Sequence, residues 1–181
     1  MSENKPTHIV MRRPHLRDLP APAALPEGYQ ERPYAGAADL APLAEALSSA
    51  FGFVWSEERV RLKLTEAADV RAVYVVAWRG RPVATASSRS LPELYPGAGY
   101  VHWVGTHQDH SRKGLSAALM RRLLLDFAAR GDRDALLETD DVRLPAIKLY
   151  LKFGFVPVYQ AHGEDHTERW SAIFQGLFAR G

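Results

Sequence analysis

The sequence predicts an α/β or α+β protein in which helices sandwich a mixed β-sheet. Three observations lead to that class. Segments with helical apolar spacing alternate with short β-branched and aromatic runs, in the order β-α-α-β-β-β-α-β-α-β before a tail. The early strands read as a hairpin, whereas the later ones are separated by helices and so need crossovers. The chain has 181 residues, 46% apolar and 24% charged, which suits one domain. A domain of this size buries roughly 70% of the surface its unfolded chain exposes, so no covalent staple is needed.

Six of the 12 prolines fall in the first 33 residues, at Pro6, Pro14, Pro20, Pro22, Pro26 and Pro33. Proline fixes φ and removes an amide donor, which disfavours regular helix or a central strand. Residues 1–28 therefore read as an extended arm, either a loose tail or a strap anchored by Leu16, Leu19 and Leu25, and residues 29–181 as the folded domain. Tyr29 to Tyr34 is β-prone. Asp39 can cap a helix through Phe51, with Leu40, Leu43, Leu47 and Ala50 at helical spacing. Ser56 starts a second helix carrying Val60, Leu62 and Leu64. Val70 to Trp78 and Pro82 to Ser90 flank Arg79-Gly80 as a hairpin. After a Pro- and Gly-rich loop, Tyr100 to Thr106 is a strand. Lys113 to Arg130 is the strongest helix, with Leu115, Leu119, Leu123 and Phe127 on one face and Gly131 as its stop. Ala135 to Thr139 is a short buried strand. Pro145 opens a helix that Gly154 ends, Phe155 to Tyr159 is a strand, and Trp170, Ile173, Phe174 and Leu177 favour a final helix.

Composition removes whole classes of function. There are no cysteines, hence no disulfides, zinc–cysteine or iron–sulfur sites, and no cysteine nucleophile. No apolar run approaches the ~20 residues that cross a bilayer. Met1 to Met11 lacks the apolar core of a secretory signal, so a cytoplasmic protein with no membrane association is expected. Arginine far outnumbers lysine, as in a bacterium with a G+C-rich genome. The net charge of +2 is too small to point to nucleic acid. His102, His107 and His110 are close in sequence, but their spacing crosses a strand and a turn without a helping cysteine, so no metal is expected. The arm and the apolar tail around Trp170 and Phe174 need a surface to cover, which leaves a homodimer open.

The stretch from Tyr100 to Leu119 carries the most information. A strand ends at Thr106, a polar turn follows, and Arg112, Lys113, Gly114 and Ser116 open the long helix. A helix N-terminus presents unpaired amides and partial positive charge, and so favours phosphate. Gly114 lets a bulky anion approach the backbone, while Ser116 and Ala117 keep the next turn open. The glycine spacing is neither a P-loop nor a dinucleotide fingerprint. A second motif runs from Arg143 to Phe155.

With both motifs present, the sequence resembles the GNAT superfamily of acyl-CoA-dependent N-acetyltransferases over about residues 29–160. That family places Arg/Gln-x-x-Gly-x-Gly/Ala after its fourth strand, here Ser111 to Ser116. It carries Ala-x-x-Leu-Tyr-x-x-x-Gly-Phe later, here Ala146, Leu149, Tyr150, Gly154 and Phe155. Three positions depart from the pattern: Ser111 and Ser116 in the first motif, and Arg143 where asparagine is common. The resemblance implies a mixed, mostly antiparallel sheet flanked by helices, acetyl-CoA as cofactor, and a primary amine of an unknown small molecule or peptide as acceptor. It implies that the fourth strand splays from the fifth. Val104 and Thr106 then offer main-chain contacts to the acyl arm, and the amides of Lys113 to Ala117, Leu115 included, hold the pyrophosphate. Arg112 and Lys113 supply charge, and Arg143 reaches a CoA phosphate or an acidic substrate. Tyr150 matches the family's general acid.

The residues themselves add candidates for the rest of the chemistry. Gly105 inside a β-prone run suggests a bulge. Strand alternation puts His102 on the face of Val104 and Thr106, toward the cleft, as a candidate base. Glu138 and the pair Asp140-Asp141 end the fifth family strand and can attract or deprotonate an ammonium. Phe51, Phe53 and Trp55 are candidates for the acceptor wall. An alternative function is an acyl-CoA-binding sensor or partner domain without turnover.

Overall fold

The computed structural model describes residues 8–22 and 24–179; the first part of the expected arm, with Pro6, lies outside the described residues. The strands are β1 (Ile9–Arg13), β2 (Tyr29–Pro33), β3 (Val70–Trp78), β4 (Arg81–Arg89), β5 (Ala98–Thr106), β6 (Asp134–Thr139) and β7 (Val156–Val158), with a small ribbon of β8 (Gln160–Ala161) and β9 (Glu164–Asp165). The helices are α1 (Leu40–Phe51), α2 (Glu57–Val60, continued by a π turn, Arg61–Thr65), α3 (Leu115–Ala129), α4 (Leu144–Lys152) and α5 (Thr167–Phe178). The main sheet has the order β2-β3-β4-β5-β6-β1-β7. All its pairs are antiparallel except β5–β6. The mixed, mostly antiparallel sheet flanked by helices is therefore as the sequence predicted.

The arm corrects the sequence reading. Its residues 9–13 form a strand inside the sheet, antiparallel to both β6 and β7. Ile9 and Met11 are fully buried and Val10 nearly so. Proline density misled here because the prolines bracket the strand and do not occupy it: Pro14 follows its last residue. The rest of the segment is a strap. Arg13 donates to the Phe153 carbonyl, Arg121 Nε donates to the Pro20 carbonyl at 2.9 Å, and Leu16, Leu19 and Leu25 pack on the core. Trp170 is fully buried within the same chain and Phe174 packs beside it. The argument for a dimer from uncovered apolar surface therefore falls away.

Strand alternation sorts the core into two layers. Tyr74 and Val76 join the cluster built by Leu115, Leu119, Leu123 and Phe127 of α3 with Ile147 and Tyr150 of α4. Val75, between them, joins Leu40, Leu43 and Leu47 of α1, with Trp55 and Val60. Each such fully buried side chain contributes about 1.5–3 kcal/mol. The α3 and α1 layers thus cover opposite faces of one sheet, and the site opens between them. Among the described residues, no helix is long and apolar enough to cross a membrane.

Candidate active site

The cleft exists because β5 and β6 part. Their parallel pairing runs from Ala98 opposite Asp134 to Val101 opposite Leu137 and stops, although β5 continues to Thr106. Past that point, among the described residues, the β6-facing edge of β5 has no partner strand. A bulge on β5's other edge helps turn it away. Thr85 pairs with Gly105 and Ser87 with His102, so β5 carries one extra residue, and Trp103 sits there at φ 45°.

The bulge overturns two sequence readings. Gly105 is not the bulged residue; it is back in register with Thr85. Glycine is needed there because a Cβ would lie 3.0 Å from Phe51 Cε2 and 3.1 Å from Ala50 Cβ, where α1 crosses the strand. His102 also does not share the face of Val104 and Thr106. The extra residue shifts the alternation, so the His102 ring lies beside Trp103, with centroids 5.6 Å apart, in the α1 layer. Val104 packs into the α3 core, and Thr106 Oγ1 is 2.8 Å from Ser116 Oγ of α3.

A cleft of about 420 Å³ fills the parting. Its walls include Phe51, Phe53, Arg59, His102, Trp103, Val104, Glu138, Asp140, Arg143, Ala146 and Tyr150. Tyr150 is 7% exposed, and burial pushes its hydroxyl up to about 12, against the opposing charge of Arg143. The phenol therefore stays protonated at physiological pH. Ser87 Oγ donates to the His102 carbonyl at 2.9 Å, so its 3.1 Å contact with His102 Nδ1 is accepted from an N–H. This assigns the imidazole proton to Nδ1 and leaves the Nε2 lone pair free. Burial, aided by Arg89, pushes the His102 imidazole down to about 3, so the ring is neutral and a weak base.

The carboxylates divide. Glu138 accepts from the Tyr95 hydroxyl at 3.1 Å and lies 3.5 Å from His162 Nε2. Asp140 lies 3.1 Å from Arg143 Nε and 2.9 Å from His8 Nδ1. Burial pushes its carboxyl up, but Arg143 and His8 outweigh that, and the net direction is down. Asp141 turns instead to Arg169 of α5, whose guanidinium holds its carboxyl below the usual range. It does not line the cleft, nor does Trp55, which is 4% exposed and stacks edge-on against Trp103. Arg143 stands over the Phe51 ring, with its guanidinium carbon 4.5 Å from the centroid. There it is tied to Asp140, inside the cleft. Phe53 and Arg59 line the cleft too. The sequence had singled out Phe53 but not Arg59, whose signal was one arginine following three alternate aromatics.

The remaining candidates gather at the start of α3. Ser111, Arg112, Lys113 and Gly114 are exposed. Gly114, at φ 78°, is the N-cap and makes no side-chain capping bond. The helical ladder begins with Ala118 N donating to the Gly114 carbonyl, so the amides of Leu115, Ser116 and Ala117 have no helical acceptor. Among the described residues, nothing lies within 4 Å of where a Gly114 Cβ would be. Leu115 is buried as the helix anchor, and its role toward a ligand is confined to its amide. The open, uncapped helix start carries Arg112 and Lys113 just before it and is tied to β5 through the Thr106–Ser116 contact, an arrangement that suits an anionic group.

The class the fold defines is a mixed sheet parted between its two parallel strands, with an uncapped helix start near the opening. The sequence profile of the Acetyltransferase (GNAT) family matches residues 40–155, and the chain belongs to that family. It is 29% identical over 170 residues to the mycothiol acetyltransferase of Mycobacterium marinum, covering 81% of this chain and 53% of that protein. The chain thus spans about half the length of that curated relative. Among solved structures it is similar in fold to a GCN5-related N-acetyltransferase from Sphaerobacter thermophilus, with TM-score 0.64 and 22% identity, over 85% of this chain and 50% of that one. It is also similar to the ribosomal-protein-S18-alanine N-acetyltransferase from Escherichia coli, with TM-score 0.60 and 20% identity, over 76% of this chain and 87% of that one.

Proposed function

We propose that the chain transfers an acetyl group from acetyl-CoA to a primary amine by direct attack. The observation that carries this reading is the parting of β5 and β6 beyond Val101 and Leu137, with the Tyr150 phenol in its wall. Bound acetyl-CoA supplies the activated thioester and a thiolate leaving group. Arg112, Lys113 and the amides of Leu115 to Ala117 would hold its phosphates, and the β6-facing edge of the main chain around Val104 to Thr106 its acyl arm. Tyr150 holds a proton at its hydroxyl oxygen for the departing sulfur. The burial that raises the phenol also penalises an unprotonated thiolate, which favours the transfer. Glu138 takes the proton from the amine. It is preferred over His102, because an imidazole held near 3 binds a proton poorly. Asp140 positions Arg143 and does not itself act as a base.

The test is calorimetric titration with acetyl-CoA, followed by thiol release in the presence of primary amines. Micromolar binding and amine-dependent release of CoA are expected. Binding without release to any amine would leave a sensor domain in place of an enzyme.

A further inference from the structure

The charges that line the cleft are nearly all paired. Arg143 and His8 share Asp140, Arg89 holds Asp69, and Glu138 faces Tyr95 and His162. Arg59 differs. Among the described residues its guanidinium has no carboxylate and no hydrogen-bond acceptor, although its main-chain N–H donates to Ser56 Oγ at 3.1 Å. Its guanidinium carbon stands 4.8 Å from the ring centroids of both Phe53 and Trp55, over the two faces. Those rings lie 6.2 Å apart and within 23° of parallel, so they act as one platform for the cation. The platform is braced in turn, because Trp55 is buried and packs edge-on against Trp103 at 4.7 Å. A guanidinium resting on aromatic faces keeps its in-plane N–H donors free, and these match a planar carboxylate in a two-bond fork.

We propose that Arg59 selects an acceptor that carries a carboxylate as well as its amine, an amino acid or a small amino-acid derivative. This rests on the amine-acetylating reading above. One unbalanced guanidinium answers one negative charge, which favours a carboxylate over a phosphate. Within the same cleft the Glu138 carboxylate suits the ammonium end, so the two ends of a zwitterion meet opposite charges. The cleft volume of about 420 Å³ admits a molecule of that size.

The test uses matched probes: the common amino acids, β-alanine and γ-aminobutyrate, each beside its own carboxamide. Thiol release is measured for both members of every pair at saturating acetyl-CoA. For at least one pair, kcat/KM for the carboxylate should exceed that for the carboxamide by about 10- to 100-fold, the range of a charge-assisted hydrogen bond. In Arg59→Gln the two members of that pair should come within about 2-fold of each other, and Arg59→Lys should restore part of the gap. Tryptophan fluorescence gives a second readout, since Trp55 lies under the guanidinium: the preferred carboxylate should shift emission in the wild type and not in Arg59→Gln. Equal rates within every pair would overturn the proposal while leaving amine acetylation intact. Acetyl-CoA binding with release to no probe and no carboxylate-dependent fluorescence change would overturn both.

Discussion

On its α3 side the cleft offers backbone: the uncapped amides after Gly114 and the unpartnered edge of β5. On its α1 side it offers interlocked side chains, in which Phe51, Phe53, Trp55 and Trp103 form a ring of aromatic contacts and Arg59 rests on Phe53 and Trp55. Backbone can hold any ligand with the right anionic arm, and its geometry is set by the fold. Side chains set identity. Under the proposed function, the difference assigns a shared carrier and a particular acceptor to different kinds of structure on the two sides of one gap.

The largest test acts where the two walls meet. Tyr150→Phe removes the hydroxyl and keeps the ring, so it should lower kcat by about 10³-fold, within the range for a lost acid catalyst. Affinity for acetyl-CoA should stay within about 2-fold in calorimetry, because binding rests on the α3 backbone. A loss of binding of the same size as the loss of turnover would break the division between the walls. Glu138→Gln should lower kcat by about 10²-fold, again with acetyl-CoA binding kept. If His102→Asn did more damage than Glu138→Gln, the base would have to be reassigned.

Lys113→Glu tests the α3 wall alone. Reversing one exposed charge beside the phosphates should weaken acetyl-CoA binding by about 10-fold in calorimetry, with the penalty fading at high salt. The acceptor's KM at saturating acetyl-CoA should not change. Gly105→Ala tests the other wall. The new methyl would press on Phe51 and Ala50, which must give by a few tenths of an ångström. Urea unfolding should show a loss of about 1 kcal/mol, and the acceptor's KM should rise about 3- to 10-fold.

The two walls were also unequally legible in the sequence. The α3 side depends on residues adjacent in the chain, so Gly114 after a strand and before a long amphipathic helix could be read directly. The same holds for Ala146 and Tyr150 on α4 and Gly154 just past its end, whose spacing is local. The α1 side depends on tertiary contacts. That Arg59 rests on Phe53 and Trp55 follows from the fold of the loop between α1 and α2, which no periodicity reports. The face of His102 was misread because one extra residue at Trp103 reverses every side chain beyond it. Strand β1 was missed because proline content was weighed over the whole segment, while the five proline-free residues Ile9–Arg13 were enough to complete the sheet.

The burial of His102 gives the smallest effect at neutral pH and a larger one in acid. In the unfolded chain a histidine titrates near ~6.5, whereas burial, with Arg89 adding to it, pushes folded His102 down to about 3. Between those values the unfolded chain binds a proton that the folded chain refuses. Stability therefore falls as pH drops through about 6.5 and the loss levels off near about 3, while above about 6.5 both states are neutral and the group contributes no slope. His102→Asn keeps a polar side chain and removes the titration. Its urea midpoint relative to wild type should be constant between pH 7 and 8.5, and should then move in the variant's favour as pH falls from 6.5 to 4.5. Parallel curves across that range would mean that the ring is hydrated and chargeable. The acceptor wall would then be wet, and His102, with its free Nε2, would return as a base able to compete with Glu138.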